Sequence, residues 1–136
     1  MKTTSFLLTV FTLLLVLPSC DNSRRERETQ HDLIGFWTLE SITGGLIGTG
    51  HAADFTDLEF KSNGTYRLNN HDEAKGEGRY TLTTVDGEII LRLSPNQAES
   101  IGFEVQDKTV RLSQDILILS DPCCDLFEYR FRRDGA

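Results

Sequence analysis

Cys123 and Cys124 are neighbours in the chain, and with Cys20 they are the only cysteines among 136 residues. Four states are open to such a pair: free thiols, a bond to each other, a bond to another chain, or a shared metal. Adjacent Cα atoms stand about 3.8 Å apart, below the usual disulfide span of roughly 4.4–6.8 Å, so a bond within the pair is strained and easily reduced. Cys123 and Cys124 are on that account a candidate vicinal redox pair. The three histidines, His31, His51 and His71, lie far apart in polar stretches, without metal-ligand or catalytic spacing. His71-Asp72-Glu73 sets ligand types side by side, but carboxylates beside a loop histidine are ordinarily just solvated. No nucleophile elbow is present. The glycine-rich run 44–50 lacks the Gly-Lys-Ser/Thr ending of a phosphate loop, and no helical pattern follows it. These residues point to no enzyme, no metal site and no cofactor.

Cys20 sits in a different setting. Lys2 precedes an almost unbroken apolar run over residues 6–17, too short for the roughly 20 residues that span a bilayer but suited to a signal peptide. Leu17-Pro18-Ser19-Cys20 then resembles the lipobox of bacterial lipoproteins, with Pro18 in place of the usual small residue. The resemblance implies that residues 1–19 are a signal peptide and that Cys20 is diacylated and becomes the mature N-terminus. The chain is then a membrane-anchored lipoprotein of the bacterial cell envelope. Two acyl chains are the number at which anchoring becomes stable. Removing residues 1–19 takes away one lysine and no acid, so the net charge moves from −7 to −8. An acidic chain repels phosphate backbones and anionic lipid, which excludes nucleic acid and leaves the lipid anchor as the only membrane contact.

The elements that position everything else follow in order. Residues 21–32 contain no apolar side chain and read as a solvated polar tether, since they bury nothing to offset the entropy of ordering. Residues 33–41 read as the first strand, with Leu33, Gly35, Trp37 and Leu39 on one face by period two. Trp37 is the only tryptophan and is expected to dominate a small core. Beyond the glycine-rich loop, apolar residues alternate: Leu58 and Phe60, then Tyr66 and Leu68 across an Asn63-Gly64 hairpin signal. Residues 69–75 read as a loop. Tyr80 and Leu82 face inward before an Asp86-Gly87 turn, and Ile89, Leu91 and Leu93 after it. Residues 99–105 read as a strand with Ile101, Phe103 and Val105 on one face, residues 106–108 as a turn, and Val110 and Leu112 as inward. The continuous run Ile116-Leu117-Ile118-Leu119 reads as a strand covered on both faces. Phe127, Tyr129 and Phe131 form the inward face of the last strand. Short strands with turn signals every ~8–12 residues, each next to its sequence neighbour, predict an all-β, antiparallel, up-and-down barrel of eight strands or nearly so, over residues 33–136.

Gly35-Phe36-Trp37 resembles the Gly-x-Trp of the lipocalin first strand. The segment from Leu58 through Asn63-Gly64-Thr65-Tyr66 resembles that family's second hairpin, and Tyr129-Arg130-Phe131-Arg132 its closing strand. Together they are similar to the small lipocalin-like lipoproteins of Bacteroidetes over residues 33–133. The resemblance implies a lipocalin-like barrel holding a small apolar or amphipathic ligand. Trp37, Phe60, Tyr66, Tyr80, Phe103, Phe127, Tyr129 and Phe131 are then expected to line or fill its interior, and Leu46 and Ile47 to tip a loop that either folds over its mouth or is presented to a partner. It also implies an arginine of the closing strand, Arg130 or Arg132, stacked on Trp37. A barrel of eight strands is just wide enough to hold one small ligand or to be filled by its own side chains. A second expectation therefore stands beside the first: a filled-barrel accessory subunit whose partner is an envelope protein.

Overall fold

The computed structural model describes residues 20–45, 52–96, 101–123 and 127–135. A helix, α1 (Cys20–Leu33), precedes eight strands: β1 (Gly35–Gly44), β2 (Asp57–Phe60), β3 (Thr65–Asn70), β4 (Glu73–Val85), β5 (Glu88–Pro95), β6 (Lys108–Ser113), β7 (Ile116–Ser120) and β8 (Phe127–Arg133). Each strand pairs antiparallel with the next, and β8 returns to pair with β1, so the sheet closes into an up-and-down barrel. Closure leaves no strand without a neighbour on each side, although β5 and β6 pair at only two positions, Ile90 with Thr109 and Leu91 with Lys108.

The period-two pattern sets the register. Trp37, Leu58, Phe60, Leu68, Leu91, Leu117, Leu119 and Phe131 are all but fully buried and form one core with Tyr66, Tyr80 and Tyr129. The Asp86-Gly87 turn has both residues at positive φ, 50° and 82°, as a two-residue hairpin of the primed kind requires. Around Asn63-Gly64 the connection is longer. The Gly64 N–H closes a turn on the Lys61 carbonyl at 3.1 Å, and Asn63 Oδ1 accepts from the Thr65 N–H and hydroxyl.

Several expectations are corrected. Residues 21–32 are largely solvent-exposed, as expected of a polar segment, but they are helical, within α1. Their apolar content is nil, but Arg24 and Glu28 pair at 2.8 Å one turn apart, and two side chains bond to the barrel. Glu26 accepts from the Thr84 N–H at 2.7 Å, and Arg25 donates to the Gly87 carbonyl at 2.6 Å. Leu33 ends this helix, fully buried, instead of opening β1. Residues 69–75 are strand apart from the His71-Asp72 turn, because ladder pairing needs backbone groups and not apolar side chains. Residues 103–105 are a short 3-10 helix, not a strand. Gly102, at φ 87°, turns the chain so that Phe103 and Glu104 both go inward and Val105 is left exposed. Lys108 is not in a turn; it opens β6. In β7, Leu117 and Leu119 are buried, but Ile116 and Ile118 are only half-buried, in register with Arg132, Arg111 and Arg130.

Candidate functional site

The connections β1–β2, β3–β4, β5–β6 and β7–β8 share one end of the barrel, the mouth. The other end carries the tight hairpin turns and is crossed by α1. Two of the mouth connections fold back inside: one carries Phe55, the other the 3-10 helix of Phe103–Val105. Phe103 lies 5.0 Å from Phe55 and 4.7 Å from Tyr129, and 6.3 Å from Phe131, ring centre to ring centre. The predicted rings thus divide. Phe103, Phe127, Tyr129 and Phe131 gather at the mouth. Phe60 and Tyr80, with centroids 5.0 Å apart, sit lower, where the Tyr80 hydroxyl donates to the Lys61 carbonyl of the closed-end turn.

Trp37 anchors the closed end. Its indole N–H donates to the Leu33 carbonyl at 2.8 Å, tying β1 to α1. The stacked arginine is neither Arg130 nor Arg132 but Arg133, whose guanidinium carbon stands 4.2 Å from the Trp37 ring centre. Arg130 and Arg132 point outward, one residue out of phase, and both bind Glu40 at the β1 bulge. Their hydrogen bonds, Arg132's first, hold the Glu40 carboxyl below its usual range. Arg133 also donates to the Ile34 and Asp32 carbonyls. Gly35 makes this possible: its φ is 134°, and a Cβ there would lie 3.1 Å from Arg133 Nη1.

Polar groups inside the mouth escape the sequence pattern. Lys108 is 2 % exposed and pairs with Asp121 Oδ1 at 2.5 Å, its Nζ 5.2 Å from the Phe103 ring centre and 5.8 Å from that of Tyr129. Asp121 Oδ2 accepts from the Phe127 N–H at 3.2 Å, so one carboxylate serves both the lysine and the start of β8. Burial, and then the Asp121 carboxylate, push the Tyr129 hydroxyl up to about 12. Glu104 is 3 % exposed. Its Oε1 lies over Gly76, where a Cβ would come within 2.5 Å of it, and its neighbour is the Tyr66 hydroxyl. Tyr66 and Glu104 are each other's hydrogen-bonding neighbour but short of full bonding geometry, and neither Tyr66 Oη nor Glu104 Oε1 has another partner. Burial raises the Glu104 carboxyl above its usual range while Tyr66 pulls the other way. Burial, followed by Glu104, raises the Tyr66 hydroxyl.

Lys108 and Asp121 were detectable: Lys108 is in phase with Val110, and Asp121 with Leu117 and Leu119. Glu104 was not, because the 3-10 turn breaks the period. Of the remaining sequence candidates, Cys123 is exposed, while Leu46, Ile47, Cys124, His51 and residues 1–19 lie outside the described residues. His31 is exposed on α1, and Glu73 pairs with Lys75 at 3.0 Å. Among the described residues no three metal-ligating side chains converge. Two clefts, of about 390 and 370 Å³, lie against α1 and share Thr29 and Leu112. No family model, curated protein or solved structure matches the chain.

Proposed function

We propose that this chain is a lipid-anchored protein of the bacterial envelope, acylated at Cys20, whose lipocalin-like barrel binds a small amphipathic ligand and carries out no catalysis. The observation that carries the ligand is the Tyr66–Glu104 pair: two buried oxygens with no partner beyond each other in an interior that, the Lys108–Asp121 pair apart, is mainly apolar. Leaving such a group unpaired costs about 1–3 kcal/mol, more for a charge. A molecule with an apolar body and one polar group answers both features. The Gly-x-Trp strand with its stacked Arg133 supports the family likeness.

A second reading has its own support. The ring contacts running from Phe55 through Phe103 to Tyr129 and Phe131 occupy the mouth with the chain's own side chains, as a filled scaffold does. In that case the barrel is an accessory subunit of an envelope complex. Native mass spectrometry of the purified protein separates the two. A co-purifying small molecule that is lost from Tyr66→Phe or Glu104→Ala supports the ligand. Protein that flies bare, and stays bare after exposure to cell extract, refutes it.

A further inference from the structure

We infer that the polar group of the interior ligand is a cation, an ammonium on a compact apolar body, bound by the Glu104 carboxylate at the mouth of the barrel. The inference rests on the small-ligand reading and adds the sign of the charge. Among the described residues, three charged side chains reach the interior from the mouth elements: Lys108 from β6, Asp121 after β7 and Glu104 from the 3-10 turn. Lys108 and Asp121 neutralise each other, and the second oxygen of Asp121 is held by the Phe127 N–H. Glu104 is left over. Among the described residues no lysine, arginine or histidine forms an ion pair with it, and its one polar neighbour, Tyr66, is neutral. Among the described residues, the interior therefore carries one acid without a counter-charge.

Three kinds of amphipathic ligand meet this acid differently. A carboxylate puts a second negative charge in a medium where like charges are poorly screened, as two carboxylates sharing one site do. An alcohol can hydrogen-bond Glu104 but leaves its charge unbalanced. An ammonium supplies the missing counter-charge and donors for both Glu104 and Tyr66. The faces of neighbouring rings add to it, since an aromatic face attracts cations. Phe103 and Tyr129 already stand in that relation to the Lys108 ammonium. A buried ion pair is stable only when its remaining hydrogen-bonding capacity is met, and the unpaired Tyr66 hydroxyl offers an acceptor for the second ammonium proton.

The test uses three probes of nearly equal shape, phenethylammonium, phenethyl alcohol and hydrocinnamate, titrated calorimetrically into the purified full chain at about pH 8. Phenethylammonium should bind more tightly than the alcohol by roughly ten- to a hundredfold, the worth of one charge-assisted hydrogen bond, and hydrocinnamate should bind most weakly. Glu104→Gln, which keeps the shape, should bring the ammonium down to the alcohol's affinity. Tyr66→Phe should keep the order. Equal binding of ammonium and alcohol, tightest binding of hydrocinnamate, or an ammonium preference that survives Glu104→Gln each overturns the inference. If no probe binds while native mass spectrometry finds a neutral or anionic passenger, the charge assignment falls and the ligand reading stands. If no probe binds and the protein is bare, both fall.

Discussion

Replacing Arg133 tests how the closed end is held. Its guanidinium stacks on Trp37 at 4.2 Å and donates to the Ile34 carbonyl at 3.0 Å and the Asp32 carbonyl at 2.5 Å. Among the described residues it forms no ion pair with a carboxylate, so its worth lies in the stack and the fork. A partly desolvated cation–π contact contributes about 1 kcal/mol, and two charged hydrogen bonds on a half-buried side chain about 1 kcal/mol each. Arg133→Met keeps most of the stem and should cost about 3 kcal/mol. With a urea slope of roughly 1.5 kcal/mol per molar, the midpoint should fall by about 2 M. Arg133→Lys keeps the charge but cannot span two carbonyls, and should lose about half as much. Trp37, the only tryptophan, reports the transition by fluorescence. A double-mutant cycle with Trp37→Leu, followed by circular dichroism, should give a coupling of about 0.5–2 kcal/mol. An Arg133→Met midpoint within about 0.3 M of wild type, or no coupling, refutes this account of the closed end.

Four further outcomes are expected. Gly76→Ala should cost about 1 kcal/mol, because the methyl meets the movable end of Glu104; Gly78→Ala should cost roughly 3 kcal/mol, because there it meets the Ser94 carbonyl oxygen at 2.1 Å, and denaturation midpoints rank the two. Lys108→Met should cost about 3–5 kcal/mol by stranding Asp121, and adding Asp121→Asn should recover most of that loss, as thermal melts will show. The Glu104 carboxyl is raised in the folded state, so its stabilising contribution is present below the unfolded pKa and is lost as pH rises through the folded one. Stability compared with Glu104→Gln should therefore fall with rising pH across that range, Tyr66, Lys108 and Asp121 being the groups that face this end; a constant difference contradicts the burial argument. Cys20→Ala should move the protein from the detergent phase to the aqueous phase, and a wild type that is already aqueous rules out the anchor.

The barrel was legible because period two survives in nearly every strand, and inward residues such as Phe60, Leu91 and Leu119 mark their own faces. Alternation fails where a turn replaces a strand, and the 3-10 helix at Phe103 is that case: two consecutive residues turn inward, and the buried acid is hidden between two apolar neighbours. It fails again at the β1 bulge, where Glu40 shifts the register against β8. The partner of Trp37, Arg133, does keep the inward phase of Phe127, Tyr129 and Phe131; it was missed because the quoted motif stops at Arg132. The helix was illegible for a different reason. Beyond the local Arg24–Glu28 pair, its hold on the barrel comes from groups remote in sequence, the Thr84 N–H and the Gly87 carbonyl, which no local pattern reports.

The way α1 is fastened also decides where the molecule yields under load. Tension entering from the N-terminal side meets first the grips of Arg25 and Glu26 on the β4–β5 turn, then Leu33 with its carbonyl bound to Trp37, and only then β1. Arg133 clamps the same carbonyl end of the helix to β8, in register with Trp37. The force path therefore ends on the seam that closes the barrel: a load resisted at the mouth shears the β1–β8 ladder, whereas one resisted at the C-terminal side peels it from the Trp37–Arg133 pair, where the two strands share an end. A chain held on this side and loaded at the mouth should give way first at α1 and then in one step along the seam.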